Sequence, residues 1–313
     1  MVTIAPAERT AQAYGPGVTS ASRSVLVELM TLLRAHREAL VLVGGWVPYL
    51  LLERHQRPED PFTHVGSIDI DLAVDPAAVQ EAQYASIVQL LLDRGYRQAA
   101  DRRGALLPDS FERTVPSPKT NKAYTIRVDF LTPLNATEPA RAKHAAVHDG
   151  LMARKIKGCD AAFRYHTNVE LSGTLPQGGL MTVPMRMATL VGCVAMKGIV
   201  LGERYREKDA YDLYALMAHY GRGPAEVADA LRPHQHDPLV CEAIDSIRTA
   251  FQRRESNGPA WAAGFLAPPM LTREYERLAT DAFMVTGEFL RLLSVGSPAG
   301  ADPPSPRAAR SGA

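Results

Sequence analysis

The eight residues Ser67-Ile68-Asp69-Ile70-Asp71-Leu72-Ala73-Val74 constrain this chain more than any others. Ile68, Ile70 and Leu72 alternate with Asp69 and Asp71, the period of a β-strand. Residues i and i+2 of a strand share a face, so the two carboxylates are expected side by side. Like charges that close repel unless a cation lies between them. Hard oxygen donors favour Mg²⁺ or Mn²⁺. The aliphatic partners can anchor such a strand in a core. A solvated edge strand shows the same alternation, so the pair alone assigns no function. A calcium loop fits worse, since it needs polar, glycine-containing sequence where Ile and Leu stand here.

Two further segments bear on this strand. Val41-Leu42-Val43-Gly44-Gly45-Trp46 reads as strand, glycine turn and helix. Backbone N–H groups at such a helix start can cradle phosphate, aided by the helix dipole. The pair is neither a Walker loop nor a G-x-G-x-x-G fingerprint, and a tight turn alone would also need glycine. Arg127-Val128-Asp129-Phe130 places a carboxylate, Asp129, in an otherwise apolar strand, Tyr124 to Leu131. Aspartate is unfavourable in that setting unless it joins Asp69 and Asp71 from an adjacent strand or pairs with a nearby cation such as Arg127.

The rest of the chain is read around these segments. Helices are expected at Ser22 to Arg37, Trp46 to Gln56 and Asp75 to Arg94. Asp75 and Pro76 start the last of these, and Gly95 stops it. Strands are expected at Ala39 to Val43, Ser67 to Val74, Tyr96 to Ala99, Ala105 to Leu107, Tyr124 to Leu131 and Ala161 to Leu171. Beyond Pro184 the pattern turns helical, at Pro184 to Leu201, Tyr205 to Tyr220, Pro224 to Leu231, Pro238 to Arg253 and Thr272 to Val295. The expected division is a disordered N-terminus over 1–20, a mixed α/β domain over 21–183, a helical domain over 184–295 and a disordered tail over 296–313. At 313 residues, 46% hydrophobic and 22% charged, the chain has the composition of a globular protein. Its net charge of +1 excludes the gross basic footprint of a nucleic-acid coat protein but leaves room for a local basic groove. Three scattered cysteines give neither a disulfide framework nor a zinc site, and reduced thiols in a cytoplasmic protein are expected. The start of the chain lacks the pattern of a secretory signal. The longest apolar run, Ala39 to Leu52, is shorter than the ~20 residues of a spanning helix and is interrupted by glycine and proline.

The order of glycine pair, helix, Asp-x-Asp strand and later Asp strand resembles the nucleotidyltransferase superfamily, shared by DNA polymerase beta, CCA-adding enzymes and aminoglycoside nucleotidyltransferases. Within it, Ser67-x-Asp69-x-Asp71-Leu72 is most similar to the AbiEii-type toxin family of type IV toxin–antitoxin and phage-defence systems. That family follows its glycine pair with a helix and an S-x-D-x-D strand. Later it carries a helical lysine and a basic-Asp-x-x-Asp-Leu segment, which Lys197 and Lys208-Asp209-Ala210-Tyr211-Asp212-Leu213 match. Pro48-Tyr49 stands where CCA-adding enzymes have Arg-Asp, and Val65, beside His64, stands where related toxins often have Arg. The resemblance covers about residues 40 to 215. It implies an α+β, polymerase-beta-like mixed sheet with helices, followed by a helical region that completes the site.

It also implies roles. Asp69, Asp71 and Asp129 would hold Mg²⁺ or Mn²⁺ against a nucleoside triphosphate (NTP). Gly44, Gly45 and Ser67 would hold its phosphates. Lys197 would contact phosphate as a point charge, and Asp209 would orient Lys197 or the nucleotide. The expected acceptor is a hydroxyl on RNA, tRNA first, with a cognate antitoxin as a further partner. The locally basic stretch Arg141, Lys143, Arg154, Lys155, Lys157 and Arg164 could bind an RNA backbone or be an ordinary solvated loop. A small hydroxylated acceptor of the aminoglycoside kind, or a non-catalytic nucleotide sensor, fits the same motifs.

Overall fold

A computed structural model describes residues 10–80, 86–134, 143–203, 207–267 and 272–295. Along the chain run α1 (Pro16–Leu32), β1 (Leu40–Val43), α2 (Trp46–His55), β2 (Ile70–Val74), α3 (Pro76–Gln80) and α4 (Ile87–Asp93). Then come β3 (Arg97–Ala100), β4 (Leu106–Pro116), β5 (Ala123–Pro133), β6 (His144–His148), β7 (Leu151–Ile156), α5 (Asp160–Arg164), β8 (His166–Thr174) and β9 (Leu180–Ala188). Helices complete the chain: α6 (Leu190–Glu203), α7 (Glu207–His219), α8 (Pro224–Leu231), α9 (Pro238–Ala250), α10 (Asn257–Leu266) and α11 (Arg273–Val295). The class is the expected one, α+β with a mixed sheet and a helical C-terminal region.

Among the described residues the strands form one nine-stranded sheet in the order β3-β4-β5-β2-β1-β9-β8, with β7 pairing β5 and β6 off that path. β1 is antiparallel to β2 and parallel to β9, while β2 is parallel to β5. β1 is buried at all four positions, as its unbroken apolar sequence requires of a central strand. α2 is set against the sheet by Trp46, which is wholly buried and donates from Nε1 to Ser22 Oγ of α1 at 3.1 Å. Burying an indole of this size is worth several kcal/mol, provided its N–H is satisfied as it is here. In the helical region α6 packs on α9, α10 on α7 and α11, and α2 reaches across from the sheet to α7. α6 is apolar on nearly every face and is buried accordingly.

Several expectations are corrected. The first described residues are ordered: Gly15 caps α1 and Pro16 occupies its first turn, where a missing N–H costs nothing. Residues 1–9 and the tail 296–313 lie outside the described residues. β2 starts at Ile70, with Ser67 to Asp69 in a bend before it. β4 is far longer than Ala105 to Leu107, because its edge carries polar residues that hide strand periodicity. Asp160 to Arg164 is a helical turn, where a strand was expected from Ala161. Pro184 lies inside β9, opposite Glu170, so the helical region begins at Leu190. Proline is tolerated there because one edge of β9 faces no partner strand near it. β6, β7 and α10 carried no periodic signal strong enough to be expected. Among the described residues, no helix is long and apolar enough to cross a membrane.

Candidate active site

The site is built where β1 turns into α2. Val43 is the register partner of Asp71, and Asp71 is in turn the register partner of Asp129 across the parallel β2–β5 pair. Equivalent register positions on adjacent strands place both carboxylates on one face. Gly44 follows Val43 with φ +70°, and a Cβ there would lie 2.0 Å from Asp71 Oδ2. The turn therefore needs glycine for its backbone and again for the carboxylate lying against it. At Gly45 a Cβ would meet Ser67 Oγ at 2.7 Å and the Lys208 ammonium at 3.6 Å. The glycine pair is the floor on which carboxylates, hydroxyl and lysine converge, with the start of α2 above it.

Asp129 is buried, and Ser110 donates to its Oδ1 at 2.6 Å, while Arg154 Nη2 stands 3.4 Å from its Oδ2. Asp71 is half-buried. Burial, then the neighbouring charges of Asp129 and Asp69, push the Asp71 carboxyl up to about 7. Burial and Asp69 likewise raise Asp129, against the pull of Ser110 and Arg154. Asp69 sits in the bend ahead of β2, close enough to act on both, so the cluster spans a bend and two strands. The Ser67 hydroxyl donates to the Asp69 carbonyl at 2.8 Å and thereby holds that bend.

These oxygens suit a hard divalent cation, which would relieve the repulsion that raises Asp71 and Asp129. Among the described residues, no group of three or more His, Cys, Asp or Glu side chains is arranged as a ready metal cage. The fit rests on the facing pair Asp71 and Asp129, with Asp69 beside them.

Across from the carboxylates lies a second charged cluster, contributed by α6 and α7. Lys197 is buried and pairs with Asp209 Oδ1 at 2.8 Å and Asp212 Oδ2 at 2.7 Å. Burial opposes its charge, but Asp209 and Asp212 more than offset this and hold it above the usual lysine range. Asp212 is 0% exposed and is the hub: Lys208 approaches its Oδ1 at 2.5 Å and His64 Nε2 at 3.0 Å. Burial would raise Asp212, yet the two lysines hold it well below the ordinary carboxylate range. The Gly66 N–H donates to His64 Nδ1 at 3.1 Å, so the ring's own proton sits on Nε2 and points to Asp212. Burial holds the imidazole down to about 4, so it is neutral near pH 7. The Lys208 ammonium also lies over the rings of Tyr14, Tyr211 and Phe265, at 5.3, 5.4 and 5.8 Å from their centroids. The positive charge of Lys197 reaches Asp71 and lowers it, linking the two clusters.

Gly44, Gly45, Ser67, Asp69, Asp71 and Asp129 thus gather at one floor, and Lys197 with Asp209 faces it from the helical region. Sequence reasoning missed the centrality of Asp212, although its spacing of three from Asp209 puts the two on one helix face. It also missed His64, Ser110 and Asp109, single residues without a pattern around them. The basic stretch is largely paired: Lys157 with Glu203 and Glu242, Arg164 with Asp237, and Arg154 with Asp109 and Asp129. Arg141 lies outside the described residues.

No family model matches the chain, and no curated protein matches it. Solved structures do. JHP933 from Helicobacter pylori aligns at 13% identity over 87% of this chain and 94% of its own, with a TM-score of 0.35. An antigenic nucleotidyltransferase-like protein from Paracoccidioides brasiliensis aligns at 11% identity over 74% of this chain and 87% of its own, with a TM-score of 0.40. MenT4, a nucleotidyltransferase toxin from Mycobacterium tuberculosis, aligns at 15% identity over 91% of this chain and 93% of its own, with a TM-score of 0.33.

Proposed function

We propose that the protein is a nucleotidyltransferase that moves a nucleoside monophosphate from an NTP to an acceptor hydroxyl. One observation carries this reading: Asp71 and Asp129 are register partners on adjacent strands, with the Gly44 turn and the start of α2 pressed against Asp71. That arrangement sets a cation-binding pair beside a phosphate-binding helix start.

Asp71 and Asp129, with Asp69, would hold Mg²⁺ or Mn²⁺. Such an ion, when bound, neutralises the triphosphate and makes the acceptor hydroxyl more acidic. The start of α2 orients the β- and γ-phosphates, and the Ser67 hydroxyl would join it by turning from the Asp69 carbonyl to a phosphate oxygen. Lys197 supplies a fixed positive charge near them, held in place by Asp209 and Asp212. Asp129, held in place by the Ser110 hydroxyl at its Oδ1, would help take the acceptor's proton. The acceptor oxygen bonds to the α-phosphorus, the bond from that phosphorus to the bridging oxygen breaks, and pyrophosphate leaves.

For the acceptor we take RNA, with tRNA first, on the resemblance of the Ser67 to Leu72 motif to the AbiEii-type toxins. The same resemblance extends the proposal to a cytoplasmic toxin held in check by a cognate antitoxin. The test is incubation with labelled NTPs, Mg²⁺ and either total RNA or small hydroxylated acceptors. Wild type is expected to label RNA, and Asp71→Ala and Asp129→Ala to lose at least about 100-fold of that labelling. Equal labelling by all three proteins would sink the reading. Label on small molecules alone would move the acceptor to the aminoglycoside class. Nucleotide binding without turnover on any acceptor would make the protein a sensor. Expression in a bacterial host should arrest growth for wild type and spare it for Asp71→Ala.

A further inference from the structure

The sheet forks beside Asp129. β4 stays paired with β5 as far as Ser110 opposite Asp129. Two residues on, the same edge of β5 is taken by β7, with Arg154 opposite Leu131, and β6 lies outside it with His144 opposite Arg154. Asp109 occupies the crotch of this fork and is 2% exposed. His144 Nε2 reaches its Oδ1 at 3.2 Å. Arg154 Nε stands 3.6 Å from its Oδ2, and among the described residues neither of those two atoms has a hydrogen-bond partner. The other end of the same guanidinium reaches Asp129 Oδ2 at 3.4 Å.

Arg154 is therefore stretched between two carboxylates and satisfies neither fully. Both distances exceed the ~2.7–2.9 Å of a good charge-assisted hydrogen bond. A buried carboxylate oxygen left without a donor is costly, so Asp109 Oδ2 stands ready for a partner. The Arg154 side chain is 35% exposed, which leaves it room to turn.

We propose that Arg154 is a tethered counter-cation, which competes with a divalent ion for Asp129 and passes to Asp109 when the ion binds. This rests on the metal site of the proposed function and deepens it. A guanidinium and a divalent ion held by the same carboxylate would repel each other, so each weakens the hold of Asp129 on the other. Asp109 Oδ2 gives the displaced guanidinium a destination only a side-chain turn away. Arg154 then sets how tightly the nucleotide-free protein holds a metal, and Asp109 limits the penalty of letting one in. Both are positioning residues, acting through Asp129.

The experiment is Mn²⁺ binding to the full-length protein without nucleotide, followed by electron paramagnetic resonance. It compares wild type, Arg154→Met, Arg154→Lys, Asp109→Asn and the Arg154→Met/Asp109→Asn double variant, with thermal melting as a check of folding. Arg154→Met should bind Mn²⁺ about tenfold more tightly, because the competitor is gone. Asp109→Asn keeps the acceptor for His144 but loses the destination for Arg154, so it should bind about threefold more weakly. The double variant should behave like Arg154→Met, and Arg154→Lys should stay near wild type. A purely structural arginine would not move the two single variants in opposite directions. Unchanged or weaker binding in Arg154→Met overturns the proposal, as does an Asp109→Asn effect that persists in the double variant. An arginine that serves the acceptor's phosphate instead would leave Mn²⁺ affinity unmoved and weaken only RNA binding. Failure of wild type to bind Mn²⁺ at all would overturn the metal site of the proposed function along with this inference.

Discussion

Asp71 and His64 are both buried against their charged forms, and their effects on stability run in opposite directions with pH. His64 is held to about 4 in the folded protein, against about 6.5 in an unfolded chain. As pH falls through that window only the unfolded chain takes up the proton, so stability falls with acid. Asp71 is pushed up to about 7, against about 3.9 unfolded. As pH rises through its window the unfolded chain ionises first, so stability falls with base. The two slopes oppose between about pH 4 and 6.5. In EDTA, Asp71→Asn should unmask the His64 slope and make the protein more stable than wild type at pH 7, by on the order of 2 kcal/mol, with no gain at pH 4. Thermal melting across pH 4 to 7 measures this, and a variant no more stable at pH 7 would refute it. Such a variant would be firmer and inactive, the trade expected where like charges are gathered for chemistry. The sequence already raised Asp129 as a companion to Asp69 and Asp71, with a cation such as Arg127 as the alternative, because a carboxylate in an apolar strand needs a reason. It could not show the Asp71–Asp129 register, which is set by which strands meet, nor His64, whose meaning comes entirely from a partner far along the chain.

At the level of elements, α7 carries the heaviest electrostatic duty. Asp212 answers two lysines and an imidazole, whereas Asp209 answers Lys197 from a more exposed position. Removing one member of a buried charge network strands the others. Asp212→Asn should therefore cost about 3–5 kcal/mol in urea unfolding, and Asp209→Asn much less, because Lys197 keeps Asp212. Equal losses for the two would show that Asp212 is no hub. The same helix shows what sequence reading of elements can do: its apolar period located it to within a residue or two, and its i, i+3 spacing put Asp209 and Asp212 on one face. The hairpin of β8 and β9 shows the opposite. Val183, Met185 and Met187 do alternate inward, but Pro184 and the apolar run that follows make the stretch read as the first turn of α6. Strand and helix signals overlap there, and only pairing with β1 and β8 decides between them.

At the scale of the whole molecule, the sheet and the helical region share one core. The buried apolar residues form one continuous cluster, from Tyr14 on the first described turn through β1 and α2 to Leu293 of α11. The His64–Asp212 contact ties the loop before β2 directly to α7. Calorimetry should show one unfolding transition with equal calorimetric and van't Hoff enthalpies, and a chain ending at residue 189 should fail to fold. Two resolved transitions would mean that sheet and helices are independent after all. The near-zero net charge of the sequence reads differently in this light. It conceals an acidic floor at Asp69, Asp71 and Asp129 beside a cluster in which Asp209 and Asp212 match Lys197 and Lys208.

Tyr14 adds a matter of timing. It is made before any carboxylate of the site, yet its ring rests against Phe265, far along the chain, and the two together shelter the Lys208 ammonium. A growing polypeptide thus displays its acidic strands long before the lysines opposite them exist, and longer still before those lysines are enclosed. Assembly of the site is among the last events of synthesis, and a chain still emerging from the ribosome lacks the lysine side of it.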